Sequence, residues 1–340
     1  MHAMIERMEL TIVGAGAIGG IIGAHLWRAG HAVQLVDRDH AHVAAIHAGG
    51  LEVAGHAALV ARVPACEPEA VTGPIETLIL AVKTLHTEEA LRPLVSRLAP
   101  DAWVVSMQNG LEEGKIAALV GAARTAAAFL SFGGYYDRPG RVVYSGPGTL
   151  KVGELDGRLT SRITALARVL SDFHPTDATA NIRGHKWGKL LLGTVYFATA
   201  TVDEDVVDLL EDASIRRTLS GLVAEGLAVA DALGVAVQPV DGFDPRSLRG
   251  GESESAEARA AWDAHRAYWR RTVMTRTGIW RDLAIRKRRT EAGPILGALV
   301  AEAERAGCPV PRVRAMLGLY PALEAGARPR DRANLDALAG

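Results

Sequence analysis

The sequence predicts an α/β fold, a doubly wound parallel sheet over the first half of the chain, followed by an all-helical second half. Three observations carry that expectation. Continuous apolar runs at residues 10–13, 77–82 and 102–107 alternate with segments of helical period up to about residue 180. After about Asn181 strand signals cease and helix-period segments follow one another. Residues 9–38 set strand, glycine turn, helix, strand and acid in that order.

That last stretch, ELTIVGAGAIGGIIGAHLWRAGHAVQLVDR, is the most specific signal. Leu10, Thr11, Ile12 and Val13 form a β-rich run, and Gly14, Ala15, Gly16, Ala17, Ile18 and Gly19 follow at once with G-x-G-x-x-G spacing. Ile18, Ile21, Ile22 and Leu26 recur at helical intervals until Gly30, and a second strand over residues 32–36 ends at Asp37. In such a unit the first glycine permits a tight turn. The second lets the backbone approach a pyrophosphate, and the third lets helix and strand pack closely. The helix start offers free N–H groups and partial positive charge to phosphates. The expectation is a Rossmann-type dinucleotide site; the competing reading is a βαβ turn whose glycines serve packing alone.

Composition narrows the class. The 340 residues are enough for two domains with substantial cores. Lys plus Arg (38) nearly balance Asp plus Glu (39), so neither nucleic acid nor an anionic membrane surface is implied as a partner. Cys66 and Cys308 are the only cysteines; they form neither a disulfide framework nor a metal-ligand cluster, so no metal is expected. No apolar run reaches the ~20 residues of a membrane span, and residues 1–8 show no signal-peptide core, with Met8 an alternative start. A cytoplasmic location is the resulting expectation.

The first half continues with a helix at 41–48 and two short strands around Gly55. The strand at 77–82 ends at Lys83, and a helix is expected at 88–98. The strand at 102–107 ends at Gln108-Asn109-Gly110, with a helix at 111–120 and a strand at 125–129 beyond it. Short glycine-rich β segments fill 131–157, a helix spans 159–170, and a further short stretch lies near Thr179. Domains of 8–180 and 181–330 follow, with the boundary near 176–181. In the second, apolar periodicity predicts helices opening at Trp187 and Leu190–Leu192, then at 206–210, 215–233, 256–271, 295–306 and 313–323. Residues 241–251 read as a loop.

Taken together, four blocks resemble the ketopantoate reductase (2-dehydropantoate 2-reductase) family. They are Gly14-Ala-Gly-Ala-Ile-Gly19, Val82-Lys83 after a buried strand, Gln108-Asn109-Gly110, and Trp187-Gly-Lys189-Leu190 opening the helical half. A fifth, Arg281-Asp282-Leu283 followed by Thr290-Glu291, is similar to the family's C-terminal signature. The resemblance spans roughly residues 8 to 325 and implies a 6-phosphogluconate-dehydrogenase-like architecture. It implies an NAD(P)H-dependent oxidoreductase that reduces a 2-keto acid to the 2-hydroxy acid, with a helical substrate and dimerisation domain and a homodimer as the assembly.

The resemblance also assigns roles. Hydride delivery to a ketone leaves a developing alkoxide that needs a proton and a nearby positive charge. Lys189 matches the family's catalytic lysine and would be the general acid; the bland alternative is a lysine snorkelling from a helix end. Lys83 and Asn109 would organise substrate and nicotinamide, against a surface lysine and a purely structural Asn-Gly turn. Glu291 matches a substrate-binding glutamate, though a first-turn acid favoured by the helix dipole accounts for it equally. The family's acid two residues on is Gly293 here, followed by Pro294, and one extra residue separates Asp282 from Glu291.

Other departures concern specificity. Substrate-binding asparagines are usual four and eight residues beyond the lysine, where this chain has Gly193 and Phe197; the serine expected before Arg281 is replaced by Thr277-Gly278. A pocket of that composition discriminates against a small hydroxy-keto acid and has room for a bulkier, more apolar group. The run 262–271 and Trp280-Arg281 would wall it, or form an exposed amphipathic helix.

Cofactor signals are divided between NAD and NADP. Asp37 sits where an acid binds the ribose 2′-hydroxyl and repels a 2′-phosphate. Arg38 matches the family's arginine for that phosphate, and His86 stands where a further adenine-side polar residue is common. A fixed carboxylate outweighs a mobile arginine, so the balance favours NAD. Three rival functions stand beside this reading: authentic 2-dehydropantoate 2-reductase of pantothenate biosynthesis, a non-catalytic dinucleotide sensor, and an opine-type dehydrogenase with His185 as its histidine.

Overall fold

The computed structural model describes residues 8–271 and 275–339. The chain forms two compact units, divided between Ile182 and Arg183. Among the described residues the first is built on twelve strands: β1 (Glu9–Val13), β2 (Ala32–Val36), β3 (Leu51–Gly55), β4 (Leu59–Ala61), β5 (Ala65–Cys66) and β6 (Ile75–Leu80), then β7 (Leu98–Ser106), β8 (Thr125–Leu130), β9 (Gly133–Arg138), β10 (Arg141–Gly146), β11 (Leu150–Glu154) and β12 (Thr176–Ala178). Its helices are α1 (Ala17–Arg28), α2 (His40–Gly49), α3 (Thr87–Leu91), α4 (Glu113–Val120) and α5 (Ser161–Ser171).

Eight strands make the main sheet, in the order β12-β11-β8-β7-β6-β1-β2-β5. All pairs are parallel except β11 with β8. The central strands are buried on both faces: Leu10, Ile12, Leu78, Ile79, Leu80, Val104 and Val105 are fully covered, which is why they read as unbroken apolar runs. Each such side chain contributes roughly 1.5–3 kcal/mol. The order places the carboxyl ends of β7, β6, β1 and β2 side by side. Of the glycine-rich segments expected at 131–157, β9 and β10 join the strands around Gly55 in a second sheet, β4-β3-β10-β9, in which β10 runs parallel to β3, while β11 pairs with β8 in the main sheet.

Several expected boundaries shift. The helix expected at 88–98 is α3 followed by 3₁₀ turns over Arg92–Arg97, because Pro93 has no N–H to continue an α-helix, and β7 begins at Leu98. Strand β6 stops at Leu80, two residues before Val82, and α4 begins at Glu113. The loop expected at 241–251 includes a 3₁₀ segment, Pro245–Gly251.

The second unit consists, among the described residues, of helices α6 (Ile182–Thr199), α7 (Val206–Glu211), α8 (Ala213–Ala232), α9 (Ala256–Arg270), α10 (Gly278–Ala284), α11 (Ala292–Ala306), α12 (Pro311–Glu324) and α13 (Ala333–Asp336). Their starts are capped by side chains the sequence supplies: Asp212 accepts from the Ser214 and Ile215 N–H groups, Ser255 from Ala258, and Thr277 from Trp280. Helices α6 and α8 approach closely at Gly226, where a Cβ would overlap the Leu191 side chain. No helix of the described residues is long and apolar enough to cross a membrane.

Candidate functional site

In the first unit the G-x-G-x-x-G turn performs three separable tasks. Gly14 has φ +95°, and a Cβ there would stand 2.8 Å from the Val82 nitrogen, so the turn at the end of β1 needs glycine twice over. Gly19 lies against β1: a Cβ would overlap the Gly14 carbonyl oxygen and stand 2.9 Å from Ile12 Cγ2. Gly16 is different. A Cβ at Gly16 would meet nothing within 4 Å, so its packing within the protein does not require glycine. Open space at the second glycine is the clearance a pyrophosphate uses.

The residues around the turn fit such a group. Gly16 is the N-cap of α1 and donates no side-chain cap, and the first turn holds no acid, so the helix start presents N–H groups and positive potential to an anion. The Ala15 peptide is pinned on both sides. Its N–H donates to Asp37 Oδ2 at 2.8 Å, and its carbonyl pairs with His42 Nε2 at 2.9 Å. The Gly140 N–H donates to His42 Nδ1 at 2.9 Å, so the imidazole proton sits on Nε2 and is donated to Ala15. Asp37 Oδ1 accepts the Asp39 N–H at 2.9 Å. Asp37 therefore also organises the loop it was expected to serve, which the sequence alone did not reveal.

Lys83 and Asn109 stand at the carboxyl ends of β6 and β7, adjacent strands in the sheet. Gln108 ties the two ends together: its amide donates to the Val82 carbonyl at 3.0 Å and to Thr87 Oγ1 at 2.9 Å. Thr87 in turn donates to the buried carboxylate of Glu112 at 2.5 Å, and Lys115 pairs with that carboxylate at 3.0 Å. Asn109 is exposed and followed by Gly110 at φ +68°. Gly14–Gly19, Asp37, Arg38, Lys83 and Asn109 are thus gathered along one edge of the sheet. Lys189 and Glu291 belong to the second unit.

There, the Trp187-Gly188-Lys189 block has a physical explanation. Trp187 is a fully buried anchor of α6. Gly188 allows the segment around Gln238 to lie against the helix, and the Gln238 N–H donates to the Gly184 carbonyl at 3.0 Å. That segment ends in a tight turn in which Val240 and Phe243 exchange backbone hydrogen bonds at 2.8 and 2.9 Å, with Asp241 at φ +50° and Gly242 at φ +79°. Aspartate tolerates this left-handed conformation better than most residues.

The turn brings Asp241 into the electrostatic neighbourhood of Lys189. Burial pulls the Lys189 ammonium down to about 8, opposed by the negative charge of Asp241, with Lys186 lowering it and Glu291 raising it. Asp241 also acts on two phenols: burial above all, and then its charge, push Tyr268 upward, and burial pushes Tyr196 well above the ordinary range. Asp241 and Tyr196 were missed from the sequence, the Asp-Gly dipeptide of the turn being the one visible signal for Asp241, whereas Tyr268 lies in the run 262–271 expected to wall the pocket.

The face of α6 differs from the expectation in one respect. Gly193 leaves the expected gap: a Cβ there would meet only the Phe197 ring of the same helix, with Cε2 at 4.0 Å. Phe197, however, is 3% exposed and packs edge-on against Tyr320, whose hydroxyl donates to the Phe197 carbonyl at 2.8 Å. It is a core residue, and Tyr196, seven residues beyond Lys189, is the aromatic near Asp241.

Helix α9 combines the two readings weighed for 262–271. Trp262, His265 and Trp269 are buried, with Trp262 donating to Ser220 Oγ at 3.2 Å and Trp269 to His265 Nε2 at 3.2 Å, while Tyr268 is half-buried within reach of Asp241's charge. Residues 272–274 lie outside the described residues. Trp280 donates to Asp203 Oδ1 at 3.0 Å beneath the Arg276 guanidinium. Glu291 occupies the N-cap position of α11 without a capping hydrogen bond from its side chain. Among the described residues no group of three or more His, Cys, Asp or Glu is placed to hold a metal ion.

Two family models match the two halves of the chain. Residues 10–157 match the ketopantoate reductase PanE/ApbA domain and residues 181–324 its C-terminal domain. The chain belongs to the ketopantoate reductase family of NAD(P)-dependent oxidoreductases. It is 28% identical over 317 residues to a 2-dehydropantoate 2-reductase of Halobacterium salinarum, covering 92% of this chain and 97% of that one. A PanE/ApbA family ketopantoate reductase from Ralstonia eutropha superposes with a TM-score of 0.78 at 28% identity, over 94% of this chain and 99% of that chain. D-mandelate dehydrogenase, solved with NADH and anilino(oxo)acetate, shares the fold with a TM-score of 0.77 at 21% identity, over 94% and 99%.

Proposed function

We propose that this enzyme uses NADH to reduce a 2-keto acid bulkier and more apolar than ketopantoate, with Lys189 as general acid. The observation that carries the proposal is the setting of Lys189: an amine drawn down to about 8 by burial and faced by Asp241 and Glu291. A group near neutrality can both hold and release a proton at working pH, which an ordinary surface lysine does not do.

In this reading the first unit is the dinucleotide-binding domain and the second the substrate and dimerisation domain of a cytoplasmic homodimer. The Gly14–Gly19 turn and the start of α1 hold the pyrophosphate, and Asp37 receives the adenosine ribose. Bound NADH supplies the hydride. Lys189 stabilises the developing alkoxide and delivers its proton to that oxygen, leaving a neutral amine that recharges from solvent. Lys83 and Asn109 would orient the nicotinamide from the sheet edge of the first unit, and Glu291 of the second unit would anchor the keto acid. The gap at Gly193, with Tyr196 and Tyr268 near Asp241, supports a larger side chain on the substrate.

The names of the curated relatives favour the second reading, authentic 2-dehydropantoate 2-reductase. A panel of 2-keto acids read at the nicotinamide absorbance separates the two. The proposal expects aryl or branched keto acids to be turned over faster than ketopantoate. A ketopantoate kcat/KM above ~10⁴ M⁻¹s⁻¹, ordinary for an enzyme on its own substrate, would contradict it. Dinucleotide binding without turnover of any keto acid would return the sensor reading.

A further inference from the structure

Beside Asp37, three side chains close a ring. The Arg38 guanidinium donates through Nη1 to Glu89 Oε1 at 2.9 Å, and its Nη2 lies 3.2 Å from His86 Nε2. The His86 Nδ1 lies 3.0 Å from Glu89 Oε2. Arginine has only donors, so His86 Nε2 must accept and its proton must sit on Nδ1, where it is donated to Glu89. Both oxygens of Glu89 are thus used, one on each of the two side chains whose positions suit a ribose phosphate. The ring's formal charge is zero with His86 neutral.

We propose that Glu89 is a cofactor-specificity residue: its carboxylate engages Arg38 and His86 as the 2′-phosphate of NADPH would, and so selects NADH. The inference rests on the proposed dinucleotide site and deepens it. A 2′-phosphate reaching this corner meets two carboxylates, Asp37 and Glu89, against one guanidinium already paired. Asp37 is fixed by the Ala15 and Asp39 N–H groups and stays; Glu89 is the anion that must be displaced. The 2′-hydroxyl of NADH asks for no such displacement, because it needs only an acceptor, which Asp37 supplies.

The ring is also open to exchange. Arg38 and Glu89 are 59% and 63% exposed, so neither is locked in the core, and substituting Glu89 leaves the packing of α3 intact. Exposed ion pairs are individually weak, and the effect of removing one of the opposing charges is a several-fold change in affinity that salt diminishes.

The test is direct titration of NADH and NADPH by nicotinamide fluorescence, without keto acid, on the unmutated protein, Glu89→Gln and Glu89→Gln/Arg38→Gln. Glu89→Gln should tighten NADPH roughly three- to tenfold, more at low salt, and leave NADH within about twofold. The added Arg38→Gln should abolish that gain. Both cofactors binding with an NADPH/NADH ratio unmoved by Glu89→Gln would overturn the inference while leaving the proposed function standing. Failure of the unmutated protein to bind either dinucleotide would overturn both.

Discussion

Gly188 lies edge-on against the main chain of Gln238: a Cβ on residue 188 would overlap the Gln238 carbonyl oxygen and stand 3.1 Å from its carbonyl carbon and 3.2 Å from Val240 Cγ2. The glycine next to Lys189 is therefore what lets the chain carrying Asp241 reach the lysine.

Gly188→Ala should accordingly destabilise the helical unit by about 1–3 kcal/mol, since backbone rather than a flexible side chain must move. Gly193→Ala, one turn along, meets only Phe197 Cε2 at 4.0 Å and should gain up to about 1 kcal/mol from helix propensity. Urea unfolding monitored on both variants checks the contrast. Equal effects would mean the close approach at Gly188 is not a constraint.

The second prediction separates binding from folding in the glycine turn. Gly16→Ala places a methyl in open space, so thermal stability should hold while NADH affinity falls at least tenfold, roughly 1.4 kcal/mol. Gly19→Ala drives its methyl into the Gly14 carbonyl and Ile12, and should lose stability and binding together. Calorimetry and fluorescence titration on the pair report both quantities. Unchanged NADH affinity in Gly16→Ala would remove the pyrophosphate from that turn.

A third prediction concerns pH. Reduction needs Lys189 charged, so its rate should fall as pH rises through about 8, well below the ordinary lysine value of 10.5. Asp241 raises the lysine, so Asp241→Asn, which tolerates the same left-handed backbone, should move that limb to lower pH. The linkage has a definite sign. Between about 8 and 10.5 the unfolded chain binds the proton and the folded chain does not, so this group makes the protein more stable as pH rises through that window. A kcat–pH limb left in place by Asp241→Asn would show that the aspartate does not govern the lysine.

Much of this was legible in the residues, and the exceptions have physical causes. Buried parallel strands leave continuous apolar runs, so β1, β6, β7 and β8 could be placed from pattern alone. The helix after β6 could not be bounded, because its apolar period persists through Pro93 although the hydrogen-bonding pattern does not. Two-residue β5 carries too few side chains to register a period. In the glycine turn, spacing suggested three roles, but only clearance around each missing Cβ distinguishes Gly16 from Gly14 and Gly19. Asp241 was invisible as a site residue because it is brought to Lys189 by a turn and a glycine fifty-odd residues earlier, a long-range relation that no local pattern encodes. Phe197 differs for the opposite reason: the resemblance set it at the position of a substrate-binding asparagine eight residues beyond Lys189, while Tyr320 from a distant helix packs it into the core.

The central claim is that Lys189 donates the proton, and Lys189→Met tests it most directly because it keeps the aliphatic stem while removing the acid. Steady-state kcat with NADH and the best keto acid should fall by about 10²–10⁴-fold, the usual contribution of a general acid. NADH affinity, measured in parallel, should stay within about twofold, since Gly14–Gly19 and Asp37 hold the dinucleotide. Thermal stability should hold or rise at neutral pH, because the folded protein no longer carries a disfavoured buried charge. A loss of kcat below tenfold, about 1.4 kcal/mol, would contradict the account and assign the proton to another group.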